Sequence, residues 1–290
     1  MLTAQRTGNT MGAEVYGADL SAPMDDATFG QVQHIFLEHR VIVFRRQELT
    51  APRFLDFANR FGRPEPHVLD QFHHPDYADI LILSNVKKDG KPIGLADGGT
   101  YWHTDYSYLE IPARATLLYS IQVPKTGGNT LFADQVSAYD ELSESMKKRI
   151  EGLVAIHLYG NRDDLDLQSR TVAYPPDERQ KQERGIAVIR HPLVRRHPLT
   201  GRKALYAVSG TSLGIEGMQD GEALALLREL AAHSTQHKYQ FSVDYGIGDV
   251  VAWDNAAVLH SATLVDPEDP RTLWRITVKE KDRPVSGYST

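Results

Sequence analysis

The alternation of apolar and polar positions predicts two amphipathic helices and a strand near the start of the chain. In Asp26–His39 apolar side chains recur at helical spacing after an Asp-Asp start, and the apolar run Val41–Phe44 is typical of a buried strand. Thr50 can cap a second helix, with Pro52 in its first turn and Gly62 at its end. We therefore expect helix, strand and helix to open the fold.

Short strands dominate the rest of the pattern. Apolar or alternating runs predict strands at residues 80–83, 115–123, 130–133, 239–243, 249–253 and 271–278, and helical spacing recurs at 143–153 and 222–233. Residues 87–100 and the turn at 125–129 lack periodicity and predict loops. Many short strands with a few helices outside them predict a mainly β double-stranded β-helix, or jelly roll, as a single domain over residues 1–290.

One polar stretch, residues 160–185, interrupts this pattern. It contains Pro175-Pro176 within a charged run and has no periodicity. A long segment of this kind is either a plain surface loop or a lid over a functional site, and its length favours a lid.

Composition and charge exclude several classes of function. The 290 residues carry 32 basic and 38 acidic side chains, a net charge of −6, with the signs interspersed, so no basic surface for nucleic acid is expected. The chain has no Cys, which excludes thiolate metal sites and Cys nucleophiles. Neither a secretory signal nor an apolar run of membrane-spanning length occurs, which predicts a cytoplasmic protein without membrane partners.

The candidate chemistry begins with a His-x-Asp motif that occurs twice. Side chains two apart on a strand face the same way, so His103 and Asp105 can offer an imidazole nitrogen and a carboxylate to one metal. In the second copy, His74 and Asp76 flank a proline, which favours a surface turn. The motif is a weak signal alone, and the first copy is preferred only together with more distant residues.

A distal histidine completes a candidate metal site. His260 has apolar neighbours, and an isolated His of this kind is more often a core residue than a ligand. Together with His103 and Asp105 it forms a two-His, one-carboxylate set that leaves metal positions open, which is typical of non-haem iron. A zinc site more often has a third His or a Cys.

Two arginines follow on the last predicted strand. Arg271 and Arg275 are four apart, an even offset that places both guanidinium groups on one face of a strand. A buried Arg requires an anion, and its planar fork matches a carboxylate, so both are candidates for binding an organic acid. Two solvent-facing arginines on an edge strand are the plain alternative.

Three motifs in this order and spacing resemble those of one family. They are WHTD at 102–105, GGNTLFAD at 127–134, and WDN at 253–255 leading to His260, Arg271 and Arg275. The family is that of the taurine and 2,4-dichlorophenoxyacetate dioxygenases, which depend on iron(II) and 2-oxoglutarate. The resemblance runs from about residue 12 to residue 278, and it implies that His103, Asp105 and His260 hold the iron.

The resemblance also implies binding roles for other residues. Thr130 and Arg271 would bind the distal carboxylate of 2-oxoglutarate, although Thr130 could equally be an ordinary β-branched strand residue. Arg275 would meet an acidic group of the substrate, with His67 and Tyr106 as further substrate contacts; Tyr106 is about as well explained as a core residue.

The pair after the last tryptophan is expected to support the metal site. Asp254 and Asn255 are predicted to be turn residues, or to orient His260 through its other ring nitrogen.

The implied reaction consumes O2 and 2-oxoglutarate, yields succinate and CO2, and hydroxylates a C–H bond of a small anionic substrate. That substrate would be a sulfonate, a sulfate ester, or an aryloxyalkanoate or other carboxylate. Because Asp105 is present, no metal position is free for halide, and hydroxylation is favoured over halogenation. Taurine is disfavoured, because the taurine enzymes place polar amide and acid groups just before the metal His, where this chain has Gly99.

Two other functions stay open at this point. One is a non-catalytic jelly-roll protein that binds a metal or an organic acid, since fold does not imply function. The other is a zinc hydrolase, for which no extra ligand and no poised Glu base are evident. Family members often form dimers or tetramers, which predicts a homo-oligomer.

Overall fold

The computed structural model describes residues 1–96, 98–159 and 188–279, so the predicted lid at 160–185 lies outside the described residues. The helices are α1 (Asp26–His39), α2 (Ala51–Phe61), α3 (Gln135–Asp140), α4 (Glu144–Ile150) and α5 (Asp220–Ser234). Short 3₁₀ turns lie at Asp70–Phe72 and His237–Tyr239.

The strands, in chain order, are β1 (Thr3–Arg6), β2 (Ala13–Tyr16), β3 (Val41–Phe44), β4 (Arg63–Pro64), β5 (His73–His74), β6 (Tyr77–Ser84), β7 (Lys87–Lys88), β8 (Lys91–Pro92), β9 (Ala113–Gln122), β10 (Thr130–Asp134), β11 (Val154–His157), β12 (Ile189–Pro192), β13 (Val194–Arg196), β14 (Lys203–Leu205), β15 (Ser212–Ile215), β16 (Gln240–Val243), β17 (Val250–Asp254), β18 (Val258–Ala262) and β19 (Thr272–Lys279). A large sheet has the order β1-β2-β3-β17-β9-β19-β6-β5, with β4 also paired to β19, and a small sheet has the order β16-β10-β18.

The two sheets face each other across a shared apolar core. Val41 and Val43 of β3 pack in one cluster with Phe132 of the small sheet, whereas Ile42 and Phe44 pack on the opposite side. This is the period of two that a strand imposes on its side chains. The layers are therefore helices, large sheet, core and small sheet, which confirms the predicted mainly β jelly-roll fold.

Helices cover the outer faces of both sheets. The outer face of the large sheet packs against α1 and α2, where Phe29, Phe36, Phe57 and Phe61 meet edge to face. The outer face of the small sheet packs against α3, α4 and α5. None of the helices in the described ranges combines the length and apolar character needed to cross a membrane.

The opening elements agree with the sequence patterns. Helix α1 and strand β3 have the predicted bounds, and α1 is capped by Asp25, whose carboxylate accepts a hydrogen bond from the Thr28 backbone at 2.6 Å. Helix α2 also has its predicted bounds, but the Thr50 side chain makes no capping hydrogen bond. The predicted loop at 87–100 contains the small β7–β8 hairpin.

Candidate metal centre

Three side chains converge between the sheets. His103 Nε2 lies 3.7 Å from Asp105 Oδ1, and His260 Nε2 lies 3.6 Å from Asp105 Oδ2. All three ligand atoms lie within 4.8 Å of one another, and Asp105 and His260 are buried. Two imidazole nitrogens and one carboxylate are a donor set suited to a divalent transition metal.

The backbone brings the two histidines together. His103 N donates to His260 O, and His260 N donates to His103 O, both at 2.9 Å, so the two residues form one isolated antiparallel bridge. His260 lies on β18 directly opposite Phe132 of β10. The prediction that His103 and Asp105 share a strand was wrong, because the chain turns at Asp105 and the next residue, Tyr106, has a φ of +52°.

Each imidazole is held by different contacts. His103 Nδ1 donates to Tyr101 O at 2.7 Å, which leaves Nε2 to face Asp105. Gly99 has a φ of +81°, and a Cβ there would lie 2.5 Å from His103 Cε1. The His260 ring packs 4.7 Å from the Trp253 ring, and its Nδ1 has no hydrogen-bond partner in the described part of the chain.

The expectation that Asp254 or Asn255 orients His260 was therefore wrong. The Asp254 carboxylate instead accepts from His197 Nε2 at 2.8 Å and from the Ala256 backbone at 3.0 Å. Asn255 contacts the carboxylate ligand: its Oδ1 accepts from the Asp105 backbone at 3.3 Å. Both side chains are buried; Asp254 is the last residue of β17, and Asn255 begins the turn that follows, as expected of a turn residue.

The electrostatics of the three ligands match metal binding. Burial alone would raise the pKa of Asp105, but the Arg275 guanidinium, together with a hydrogen bond from Thr116, outweighs it and holds the pKa well below its ordinary value. Burial lowers the pKa of His103, and it lowers that of His260 further, with His103 adding to the effect. A carboxylate anion and two neutral imidazoles are the protonation states that a metal requires.

The second His-x-Asp copy forms a surface turn, as predicted. β5 ends at His74, Pro75 and Asp76 form the turn into β6, and Asp76 N donates to His74 Nδ1 at 3.2 Å. The Asp76 side chain is exposed.

Arg271 lies just before β19 and lines a cavity of about 520 Å³ whose wall includes Gly98, Thr100 and Ala262. The residue is only 8% exposed, and no described acidic side chain forms an ion pair with its guanidinium. Its burial lowers its pKa. A buried guanidinium without a carboxylate favours an anionic ligand.

Two further residues shape the surroundings of Arg271. Gly128 has a φ of +71°, and a Cβ there would lie 3.1 Å from both Cδ and Nε of Arg271. Thr130 is buried on β10, and its hydroxyl forms a 2.8 Å hydrogen bond with the Tyr245 hydroxyl. Burial raises the pKa of Tyr245 to about 12. Sequence reasoning missed Tyr245, which has no motif around it.

Arg275 lies on β19, and its side chain points into the site. Its Nη2 donates to Asp105 Oδ1 at 2.6 Å, and its Nε donates to Thr277 Oγ1 at 3.1 Å. The prediction that Arg271 and Arg275 share a strand was wrong, because β19 begins at Thr272 and its register shifts between Thr272 and Leu273. The plain alternative of solvent exposure is nevertheless wrong, because the Arg275 side chain is only 12% exposed.

Aromatic side chains surround Arg275. Its Cζ lies 5.8 Å from the centroid of the Tyr106 ring. The Tyr106 ring lies 5.8 Å from Tyr108 and 6.0 Å from His67, and Tyr159 lies 4.4 Å from Tyr108. Burial raises the pKa of Tyr106, Tyr108 and Tyr159, so these phenols stay neutral. Tyr159 gave no signal in the sequence.

Comparison with known proteins gives consistent results. The profile of the family described as "Taurine catabolism dioxygenase TauD, TfdA family" matches residues 3–277. The chain is 33% identical over 269 residues to an alpha-ketoglutarate-dependent 2,4-dichlorophenoxyacetate dioxygenase of Burkholderia sp. strain RASC, covering 89% of this chain and 88% of the relative. It is 30% identical over 276 residues to pentalenolactone F synthase of Streptomyces arenae, covering 93% and 92%.

Solved structures are similar along nearly the whole chain. The crystal structure of AAD-2 in complex with Mn(II) and N-oxalylglycine superposes with a TM-score of 0.82 at 31% identity, covering 98% of this chain and 99% of that one. A taurine dioxygenase from Burkholderia xenovorans superposes with a TM-score of 0.80 at 28% identity, covering 98% and 91%.

Proposed function

The chain belongs to the TauD/TfdA family and is a 2-oxoglutarate-dependent dioxygenase, and from this premise we propose that it uses iron(II) at His103, Asp105 and His260 to hydroxylate a small organic acid. The observation that carries the proposal is the convergence of these three side chains, with their ligand atoms within 4.8 Å of one another. The buried guanidinium of Arg271 supplies the anion site that a dicarboxylate cosubstrate needs.

The donor set fits iron. Two imidazoles and one carboxylate leave coordination positions open for a chelating cosubstrate and dioxygen, and the chain has no Cys that would favour a softer metal. When bound, iron supplies the activation of dioxygen that oxidises 2-oxoglutarate and the substrate C–H bond. The protein keeps both imidazoles neutral through burial and holds His103 by its bond to the Tyr101 carbonyl.

Arg271 and Thr130 bind the distal carboxylate of 2-oxoglutarate in this proposal. The Arg271 fork offers two parallel N–H donors to one carboxylate, and the buried surroundings strengthen them. Thr130 is already bonded to Tyr245, so Tyr245 can orient the Thr130 hydroxyl toward the same carboxylate. Gly128 leaves the space that the Arg271 side chain occupies.

The substrate pocket is formed by Arg275 and the aromatic side chains around it. Arg275 uses one N–H of Nη2 for Asp105 and its Nε–H for Thr277, and its remaining N–H groups can bind a substrate acid group. Tyr106, Tyr108 and His67 supply flat walls beside that group.

An acid that carries an aromatic ring fits this pocket better than taurine, a small zwitterion without a ring. Two relatives are named for 2,4-dichlorophenoxyacetate and (S)-phenoxypropionate, so aryloxyalkanoic acids are the first substrates to test, followed by alkyl sulfates and sulfonates.

We also propose that residues 1–290 act as one domain and that the chain forms a homo-oligomer. Gel filtration tests the oligomer against the 32.5 kDa monomer.

The test is an anaerobic titration with iron(II) and 2-oxoglutarate, followed by a succinate assay over these acids. We expect a weak visible charge-transfer band that disappears in His103→Ala and persists in His74→Ala, the matched histidine of the second His-x-Asp copy. We also expect at least one acid to increase succinate formation. A band absent from the parent protein would refute the proposed iron site, and no succinate with any of these acids would refute the proposed substrate class.

A further inference from the structure

Four side chains form a closed hydrogen-bonded ring that includes the Asp105 carboxylate. Arg275 Nη2 donates to Asp105 Oδ1 at 2.6 Å, and Thr116 Oγ1 donates to Asp105 Oδ2 at 2.6 Å. The ring closes through Thr277, whose hydroxyl lies 3.1 Å from Arg275 Nε and 3.3 Å from Thr116 Oγ1. Both oxygens of Asp105 therefore receive a hydrogen bond.

Strand pairing places these side chains together. Thr116 of β9 lies directly opposite Thr277 of β19, and Arg275 lies two residues before Thr277 on the same face. Thr116 also lies opposite Trp253 of β17, two residues before Asn255. Among the described residues, the large sheet thus positions both donors to the Asp105 carboxylate, although the Asp105 backbone belongs to a turn.

The directions of the hydrogen bonds follow from the chemistry of the two ends. A carboxylate only accepts and a guanidinium only donates, so Thr116 donates its proton to Asp105 and Thr277 accepts from Arg275. The bond between the two hydroxyl groups then has Thr277 as its donor.

Asn255 fixes Thr116 from the other side. Asn255 Nδ2 donates to Thr116 Oγ1 at 2.9 Å, while Asn255 Oδ1 accepts from Trp253 Nε1 at 3.2 Å and from the Asp105 backbone at 3.3 Å. One amide group therefore holds both the backbone of Asp105 and the hydroxyl that binds its carboxylate.

We propose that Thr116, oriented by Asn255, is a positioning residue that sets metal affinity by holding the Asp105 carboxylate between the two histidines. This inference rests on the proposed iron site. Thr116 makes no contact with substrate in the proposal, and it acts through Asp105.

Burial separates the role of Thr116 from that of Arg275. Thr116 is 0% exposed, whereas the Arg275 side chain borders the substrate pocket and is 12% exposed. An arriving substrate acid can draw on the N–H groups of Arg275 but cannot reach Thr116. The hydrogen bond from Thr116 to Asp105 is therefore independent of substrate, whereas the hydrogen bond from Arg275 to Asp105 can change when substrate binds.

The experiment measures metal binding rather than turnover. Co(II) and Mn(II) affinities of the full-length protein are determined by calorimetric titration, together with the Co(II) absorption spectrum, for Thr116→Val, Thr116→Ala and Thr116→Ser. Loss of a support to a metal ligand typically costs about 10–100-fold in metal affinity, so we expect that loss in the Val and Ala variants with a changed Co(II) spectrum. Thr116→Ser keeps the hydroxyl and is expected to bind metal as the parent does.

Thr272→Val is the matched control. Thr272 is a buried threonine at the start of β19, and its hydroxyl bonds to Ser84 at 2.9 Å rather than to Asp105. The same substitution there should leave metal affinity and the Co(II) spectrum unchanged.

The outcomes separate this inference from the function on which it rests. If the parent binds metal and Thr116→Val and Thr116→Ala bind it equally well, the positioning role is refuted and the metal site stands. A parent that binds neither metal refutes the proposed function instead. If Thr116→Val and Thr116→Ala are unfolded in the absence of metal, Thr116→Ser provides the test. A tenfold loss of metal affinity in Thr116→Ser, which keeps the hydroxyl, would contradict the proposed role of that hydroxyl.

Discussion

Replacing Arg271 with leucine should weaken 2-oxoglutarate binding without weakening the fold. Truncating one partner of a buried charge pair costs about 2–5 kcal/mol, and about 1.4 kcal/mol is tenfold in affinity, so the Kd should rise by about 30- to 4,000-fold. Arg271 is 8% exposed and has no acidic partner among the described residues, so the apo protein bears the cost of an unpaired buried charge. Removing that charge should leave the free energy of unfolding unchanged or increased.

The two quantities are measured separately. Calorimetric titration of the Mn(II)-loaded protein with 2-oxoglutarate gives the Kd, and urea unfolding without cosubstrate gives the stability. Lys87→Met is the control, because Lys87 borders the same cavity but is exposed, and an exposed charge contributes at most about 1 kcal/mol. Gly128→Ala should also raise the Kd, since its Cβ would lie 3.1 Å from Arg271 Nε.

The opposite pattern would refute the reasoning. If Arg271→Leu binds 2-oxoglutarate within about threefold of the parent, a shift below 1 kcal/mol, Arg271 is not the clamp. If the apo variant instead loses about 2 kcal/mol or more of stability, as broken buried networks do, Arg271 is a structural residue.

Two further predictions concern His103, a proposed metal ligand, and the buried His191. Gly99→Ala should lower metal affinity, because its Cβ would lie 2.5 Å from His103 Cε1. Gly90 also has a positive φ, of +76°, but a Cβ there would have nothing within 4 Å, so Gly90→Ala should retain metal affinity. Equal effects of the two substitutions in a Mn(II) titration would contradict the steric explanation. Burial lowers the pKa of His191 to about 4, below the ordinary value of about 6.5 that it has in the unfolded chain. The stability that neutral His191 contributes is therefore present above about pH 6.5. It is lost as the pH falls toward 4, by up to roughly 3 kcal/mol. Urea unfolding at pH 7 and pH 5 should therefore show a smaller pH dependence in His191→Gln, and parallel curves would exclude this origin.

Local patterns sufficed for the first helix and the strand that follows it. The bounds of α1 and β3 follow from apolar spacing and from residues at their ends, because an amphipathic helix and a buried strand each record their own period. Sequence motifs also carried the three residues that the structure brings together, His103, Asp105 and His260, whose role as metal ligands stays a prediction. The strand assumed for His103 was wrong, since one bridge to His260 replaces it.

The supports of the site could not be read from local sequence. Thr116 contacts Asn255 across 139 positions of the chain, and Thr130 contacts Tyr245 across 115. Such contacts depend on strand register, which is set by tertiary packing rather than by the residues themselves. Asp254 illustrates the same limit, because its partner His197 lies in a hairpin that no motif marks.

Because His103 and His260 form a mutual backbone bridge, metal binding in the proposed site depends on the register of strand β18. A slip of β18 by one residue would turn His260 to the outer face of the small sheet, against the helices, and would separate the ligands. Metal uptake would then report correct pairing of β18. Because the two histidines lie more than half of the chain apart, a bound metal is also a removable crosslink between distant segments. Removing the metal with a chelator should therefore lower the free energy of unfolding.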